Sequence, residues 1–508
     1  MAEARIHSKN LTRKATLIML YNLVGAALGY ATLFFVYRYT GRTAYGIVGS
    51  ALAFAGILSF IGNFGFNYAH IKRVTEGRDF GECTGTFFSV KALLTGIYLA
   101  VGFGALVIWK GVLGYGFETP YLETAIEVML LYNVLIFMQD VFRITFSAQI
   151  KTKHATLPLF VELAVRDSLL VLFSLRIFID PSMTLEEIGL HFTLAYVYAA
   201  FASLLCYAWI GRNIPFSRPR LDLARDYWKF AAPLFLAGMI SLIIANTDRL
   251  MLQYFWSVEE VGAYFGLQRL IYFITQIGGA VATVSFPAAA HHLARMNREE
   301  MVRIFRKSEK YLSLLVSPLV VALIVFPEEI LNLWSVQLVP YANTLRILAL
   351  YAYVVPAIIP YRVAFNAAGR PKENTKVWAI QLGLNVVLNA LLIPSSLFGV
   401  PLPGLKTLGA ALATFLSFLT GVVVLGYHVS RKLGVHPDLK RHLFLGVALL
   451  AAVPFYLLRF AVDLRPFTAL AAALVAYLST YAVLTTVLRL TTYDEMRDTV
   501  MNLIRGSR

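Results

Sequence analysis

The chain has 508 residues, 58% hydrophobic and only 15% charged, with a mean hydropathy of +0.67. These values exclude an ordinary soluble fold, whose surface needs more charge, and describe a chain whose solvent is largely lipid. The formal charge of +16 falls in short connections, where anionic lipid headgroups account for it without a nucleic-acid partner.

Fourteen apolar windows follow one another, each near the ~20 residues a helix needs to cross the hydrocarbon core. They run over 15–37, 43–66, 86–109, 122–148, 157–179, 188–210, 229–251, 262–287, 312–335, 342–365, 376–396, 407–429, 442–461 and 467–488. Only helices and closed barrels satisfy every backbone group in lipid, and the windows lack the alternation of barrel strands. The expected fold is therefore all-α and polytopic, with about fourteen transmembrane helices. The first window is too long for a signal peptide and no cleavage pattern follows it, so it is expected to stay in the mature chain.

Charge sets the expected orientation. The N-terminal segment carries Arg5, Lys9, Arg13 and Lys14, and the connection after the second window carries Lys72, Arg73, Arg78 and Lys91. The connection after the eighth window holds Arg295, Arg298, Arg303, Arg306, Lys307 and Lys310, and the tail holds Arg489, Arg497, Arg505 and Arg508. With the remaining even-numbered connections, this side has 32 basic residues. The other side has seven: Arg38, Arg42, Lys110, Arg176, Lys406, Arg459 and Arg465. The positive-inside rule then places both termini in the cytoplasm, in a multi-pass protein of the plasma membrane.

A repeat divides the chain. The fourth window ends in Arg143-Ile-Thr-Phe146-Ser-Ala148 and the tenth in Arg362-Val-Ala-Phe365-Asn-Ala367, each followed after two residues by a basic residue, a spacer and Lys. The offset is 219 residues, and one of 216 brings Tyr45-Gly46 onto Val261-Gly262. Six crossings separate the paired elements, an even number, so the halves are expected to be parallel repeats about an axis along the membrane normal. This predicts two six-helix lobes, 1–211 and 212–430, with a central cleft, and a two-helix appendage with a cytoplasmic tail over 431–508.

The 32 and seven leave six of the 45 basic residues, Arg143, Arg166, Arg249, Arg269, Arg346 and Arg362, all within or at the ends of windows and none of them a lysine. A charge in lipid costs several kcal/mol unless it faces a cavity or a partner. The acids Glu127, Asp140, Glu162, Asp167 and Asp248 lie nearby, and the spacings Asp140–Arg143 and Glu162–Arg166 permit ion pairs on one helix face. Asp248–Arg249 comes near the outer headgroups, where Arg can snorkel. Arg269 and Arg346 have no acid one turn away, so a bound anion would satisfy them, whereas Arg362 reads as an anchor at the cytoplasmic edge. Cys83 and Cys206 offer no disulfide framework, no metal-ligand cluster is expected, and no glycine-rich nucleotide loop is present. An ion gradient or the substrate's own gradient is the expected driver.

Asn246-Thr-Asp248-Arg249-Leu-Met-Leu, followed by Val261-Gly262-Ala-Tyr264, resembles the Asp-Arg and Val-Gly-x-Tyr pattern of the polysaccharide-exporting, lipid-linked oligosaccharide flippases. Pro287, Leu345-Arg346, Ala367-Ala-Gly369-Arg370, Asn385, Asn389 and Gly409-Ala410-Ala411-Leu-Ala-Thr414 extend the resemblance over nearly the whole chain. The same superfamily holds multidrug and toxin extrusion transporters and lipid II flippases. The first half departs from the pattern, with Thr32-Leu33 where the offset would place an Asp-Arg pair.

The resemblance implies a membrane transporter, not an enzyme, with no catalytic residue and no cofactor beyond a coupling ion, Na+ or H+. Its implied cargo is a polyprenyl-(pyro)phosphate-linked oligosaccharide, moved to the outer leaflet by alternating access. Its implied surroundings are membrane lipids and glycosyltransferases or a polymerase of the same pathway. Arg143, Arg166, Arg249, Arg269 and Arg346 are the expected substrate-binding residues, because a guanidinium presents a planar fork of donors to phosphate oxygens. Asp140, Glu162, Asp167 and Asp248 are the expected cleft or coupling acids. The alternative is a cation-coupled exporter of small amphipathic compounds on the same fold, which should carry an excess of cleft acids.

Overall fold

The computed structural model describes residues 2–112, 116–294, 298–436, 438, 441–463 and 466–492. Arg295, Arg465, Arg497, Arg505 and Arg508, with the expected cytoplasmic tail beyond Thr492, lie outside the described residues, as do the side chains of Arg5, Lys9, Arg13, Lys14, Pro287 and Arg298.

The chain is an all-α, polytopic membrane fold, and each of the fourteen windows falls on helical segments. α1 (Ala2–Leu58) is two helices joined at Gly41, whose φ of 63° lies in the region that favours glycine, between the first two windows. The second window continues through α2 (Phe60–Asn63), breaks at Phe64 and Gly65 (φ 32° and 77°), and ends where α3 (Phe66–Thr75) begins. Then come α4 (Phe80–Val107), α5 (Pro120–Ala148), α6 (Thr152–Leu175), α7 (Leu185–Ile210), α8 (Leu221–Phe255) and α9 (Val258–Ala294). The remainder is α10 (Arg298–Val325), α11 (Pro327–Trp334), α12 (Ala342–Ala367), α13 (Pro371–Leu392), α14 (Lys406–Leu433), α15 (His442–Leu458) and α16 (Phe467–Val487). Side-chain caps start several of them: Asp79 accepts from the Glu82 amide at 2.8 Å, and Thr184 from the Glu187 amide at 3.2 Å.

Among the described residues, nine helices are long and apolar enough to cross a membrane. The other windows fall short for identifiable reasons. The halves of α1 form one span, α6 carries Glu162, Arg166 and Asp167 inside its apolar run, and α15 has only 17 residues. α8 and α9 include side chains outside the described set.

The chain divides into two compact units, Met1–Gly262 and Ala263–Ile504. In the first, α5 and α6 pack on α7, α1 packs on α5, α6, α7 and α8, and α3 joins α5 and α8. Its α3–α8 seam has a buried core of Phe66, Phe87, Val141, Ile144 and Tyr227. His70 is fully buried there, stacked on Phe87 at 4.3 Å, with Nδ1 3.0 Å from the Tyr227 hydroxyl and Nε2 3.0 Å from Thr145 Oγ1. In the second unit, α12 packs on α10 and α14, α13 on α14, and α15 on α10 and α16. Pro318 in α10 lacks the amide that would bond the Leu314 carbonyl, and the Tyr481 hydroxyl of α16 donates to that carbonyl at 3.0 Å. Tyr477 donates likewise to the Pro318 carbonyl at 3.0 Å, so α16 is docked through carbonyls of α10 at its proline.

Candidate functional site

The break between α2 and α3 leaves helix-end carbonyls and amides inside a bilayer segment, where a charged group can satisfy them. Lys91 of α4 fills that role. It is fully buried, and its ammonium donates to the Gly62 carbonyl at 3.1 Å, to Asn63 Oδ1 at 3.3 Å and to Asp140 Oδ2 at 3.2 Å. The rings of Phe87 and Phe137 flank it at 5.8 and 5.6 Å.

Lys91 therefore departs from its expected place in a cytoplasmic connection, and the intramembrane bases do include a lysine. The reason is the start of α4 at Phe80, which places Lys91 about three turns into the helix. Its register with buried Phe87, Leu94 and Tyr98, at helical spacing on one face, was the sequence signal that marks it as inward.

Asp140 of α5 joins this cluster to Arg143, one turn on. Arg143 donates from Nε to Asp140 Oδ1 at 3.0 Å and from Nη2 to the same oxygen, and Asn67 of α3 donates to Oδ2 at 3.3 Å. The expected Asp140–Arg143 pair is present, with Lys91 as a third member. Two cations thus share one carboxylate. The Arg143 side chain is 39% exposed, against 5% for Asp140 and none for Lys91, so Arg143 is the reachable arm of a buried cluster.

On α6, Arg166 pairs with the adjacent Asp167, Nε to Oδ1 at 2.8 Å, and lies over the Tyr196 ring of α7 at 5.5 Å. The expected Glu162–Arg166 pair does not form, because Glu162 instead accepts from the Tyr132 hydroxyl of α5 at 3.4 Å. Tyr132 and Tyr196 meet edge to face at 5.7 Å, so an aromatic pair frames the charges of α6.

Asp248 and Arg249 of α8 are both buried, not extended toward headgroups. Arg249 donates to Asn246 Oδ1 at 2.7 Å and to the Ala245 carbonyl at 3.4 Å, and Asn246 lies against Gly56 of α1.

The second unit places its arginines differently. Arg269 of α9 is half-buried, with its guanidinium over the Phe265 ring at 5.0 Å. Arg346 of α12 does have a carboxylate, supplied by α11: it donates to Glu328 Oε1 at 2.7 Å, to Asn343 Oδ1 at 2.7 Å and to the Ile324 carbonyl at 3.2 Å. Arg459 adds a second base, 3.3 Å from Glu329 and 3.8 Å from Glu328. The partner that sequence spacing omitted comes from a neighbouring element, and each guanidinium nitrogen of Arg346 has an acceptor within the chain.

Arg362 of α12 turns inward from its expected place at the membrane edge. Its guanidinium stacks on Trp378 of α13 at 3.9 Å and donates to Gln381 Oε1 at 3.2 Å. Elsewhere on α13 a buried ladder runs through Gln381, Asn385 and Asn389, with Asn385 bonded to Thr414 of α14 at 3.4 Å and to Asn389 at 3.1 Å. Among the described residues no group of three or more His, Cys, Asp or Glu could hold a metal ion.

Comparison with known proteins agrees with this architecture. The chain is 24% identical over 430 residues to a probable low-salt glycan biosynthesis flippase, Agl15, of Haloferax volcanii, covering 83% of this chain and 84% of that protein. It is also 24% identical to a probable flippase of the same organism, AglR, over 42% of this chain and 43% of that one. Its fold matches the lipid II flippase MurJ in an inward closed conformation, with a TM-score of 0.74 and 15% identity over 92% of this chain and 98% of that one. It also matches an inward-facing multidrug resistance MATE transporter, with a TM-score of 0.62 and 14% identity over 80% of this chain and 95% of that one. The family model described as polysaccharide biosynthesis protein matches residues 11–292, more than half the sequence, and the chain, a multi-pass membrane protein, belongs to that family.

Proposed function

We propose that this protein is a flippase that moves a polyprenyl-(pyro)phosphate-linked oligosaccharide from the cytoplasmic to the outer leaflet by alternating access. Two parallel six-helix lobes, 1–211 and 212–430, would do this work, with 431–508 as an appendage and both termini cytoplasmic. The cargo would be the product of glycosyltransferases, delivered to a polymerase or transferase on the far side.

The observation that carries this reading is the Lys91–Asp140–Arg143 cluster. A pyrophosphate cannot enter a low-dielectric interior unpaired, and an arginine that releases its own carboxylate to meet it would normally strand that carboxylate. Here Lys91 continues to neutralise Asp140 when Arg143 turns away, so Arg143 is available to an anion at small cost. Arg166, held by Asp167, and the half-buried Arg269 extend the set of guanidinium forks. Flippase relatives and the family membership support the same cargo class.

The test is flipping of a fluorescent oligosaccharide pyrophosphate lipid in liposomes, after each variant is shown to fold. Arg143→Ala should slow flipping at least about tenfold, Arg143→Lys should recover part of the loss and Arg143→Glu none. Wild-type rates in Arg143→Ala, Arg166→Ala and Arg269→Ala together would overturn the anionic-headgroup reading in favour of a small-molecule exporter.

A further inference from the structure

Arg143 and Arg362 occupy the same place in the repeated Arg-x-x-Phe-x-Ala segment, yet their surroundings differ in one decisive respect. Three residues before Arg143 stands Asp140; three residues before Arg362 stands Ile359. Arg362 has no carboxylate in ion-pair distance among the described residues. Its interactions are the Trp378 face, Gln381 Oε1 and, at its own backbone carbonyl, Asn374 Nδ2 at 3.1 Å.

Two donors at this place are buried without an acceptor: Arg362 Nε and Gln381 Nε2. Gln381 is fully buried, and its amide occupies the space that glycine leaves on α14, where a Cβ on Gly421 would come within 2.2 Å of it. An arginine that served only as an anchor would extend toward headgroups, whereas this one bends onto Trp378 and reaches a buried carboxamide. A guanidinium without a counter-ion and two unmet N–H groups, side by side in a bilayer segment, are complementary to one anionic oxygen-rich group. Exposed Arg370, Lys372 and Lys376 flank the same end of α12 and α13 and would attract such a group.

The geometry points to a phosphate-binding site in the second unit, built from Arg362 and Gln381 on the Trp378 face, that takes an anionic phosphate group. Its planar fork suits two phosphate oxygens, with the Gln381 amide reorienting to donate to a third. The phosphate comes from a lipid headgroup entering between the exposed bases or from a free anion in solution. This site is built from residues of the second unit alone and does not depend on the cargo proposed above.

Thermal stability of the purified protein tests it, with a short-chain isoprenyl phosphate, phosphatidylglycerol in nanodiscs, inorganic phosphate and pyrophosphate as separate probes. The anionic phosphate lipids should raise the melting temperature relative to zwitterionic phosphatidylcholine, with apparent affinity about tenfold weaker in Arg362→Gln and partly kept in Arg362→Lys. Gln381→Leu retains the charge and checks the site independently should Arg362→Gln fold poorly; it should also weaken the response. An equal, Arg362-dependent response to inorganic phosphate or pyrophosphate supports the site and assigns it to a free anion. Responses unchanged in both Arg362→Gln and Gln381→Leu, or no response to any probe, overturn the proposal and leave Arg362 as an anchor.

Discussion

Gly46 and Gly262, aligned by the repeat, meet backbone to backbone: a Cβ on Gly262 would lie 2.9 Å from the Gly46 nitrogen and 1.9 Å from the Arg42 carbonyl oxygen. The same offset of 216 relates Thr43 to Glu259, whose side chains bond at 3.4 Å. Positions that the repeat pairs therefore touch one another within the first unit. The Tyr37 hydroxyl closes this contact by donating to the Gly262 carbonyl at 2.6 Å.

This close approach predicts that Gly46→Ala and Gly262→Ala each destabilise the protein by about 1–3 kcal/mol, since the added methyl meets backbone that cannot yield. Gly29→Ala, with nothing within 4 Å of its Cβ position, should be near neutral. Thermal unfolding in one detergent compares the three, and equal melting temperatures would contradict the packing.

Asp140→Asn should cost more than Lys91→Met. The first leaves the fully buried Lys91 without its carboxylate, a loss of about 3–5 kcal/mol, whereas the second leaves Asp140 paired with Arg143. Melting curves of the two variants decide the order, and a larger loss for Lys91→Met would show that the Gly62 and Asn63 bonds matter more than the charge.

Arg346 should behave as a structural residue. A double-mutant cycle of Arg346→Ala with Glu328→Ala is expected to give a coupling of about 1 kcal/mol, with both side chains a third exposed. Additive losses would contradict the pairing.

His70 lies in α3, beyond the second apolar window, and burial pushes its imidazole down to about 3 from 6.5. Unfolding then takes up a proton between those values, so the contribution of His70 is fully present above about pH 6.5 and is lost as pH falls from there toward 3. His70→Gln should flatten that part of the stability–pH curve. An identical slope in the variant would assign the acid sensitivity to other groups.

Orientation is checked with single cysteines in a Cys83→Ala/Cys206→Ala background. Ser182→Cys, on the basic-poor side, should react with an impermeant maleimide in intact cells, and Asn213→Cys only after permeabilisation. The reverse pattern would invert the topology.

What the sequence made legible follows from how local each interaction is. The helices were visible because a bilayer demands long apolar windows, and Asp140–Arg143 because three residues on one helix fix the geometry. Glu162–Arg166 met the same spacing rule and failed, since Tyr132 and Asp167 compete for the two side chains from another helix and the next position. Glu328 could not be assigned to Arg346 from spacing, as α11 reaches it only through tertiary folding. Lys91 was hidden by its charge: a lysine near a window edge reads as a loop residue until the helix start is known.

The three charges of α6 also bear on how the protein is made. Each charged residue near the centre of a helix costs about 2.5–3.5 kcal/mol during translocon insertion, and α6 presents Glu162, Arg166 and Asp167 together. Asp167 is on the same helix, but the Tyr196 ring that covers Arg166 belongs to α7, which is synthesised later. An isolated α6 would therefore partition poorly into lipid, and it has reason to wait beside the insertion gate until α7 emerges. The α6–α7 hairpin, not either helix alone, is then the unit that enters the bilayer during biogenesis.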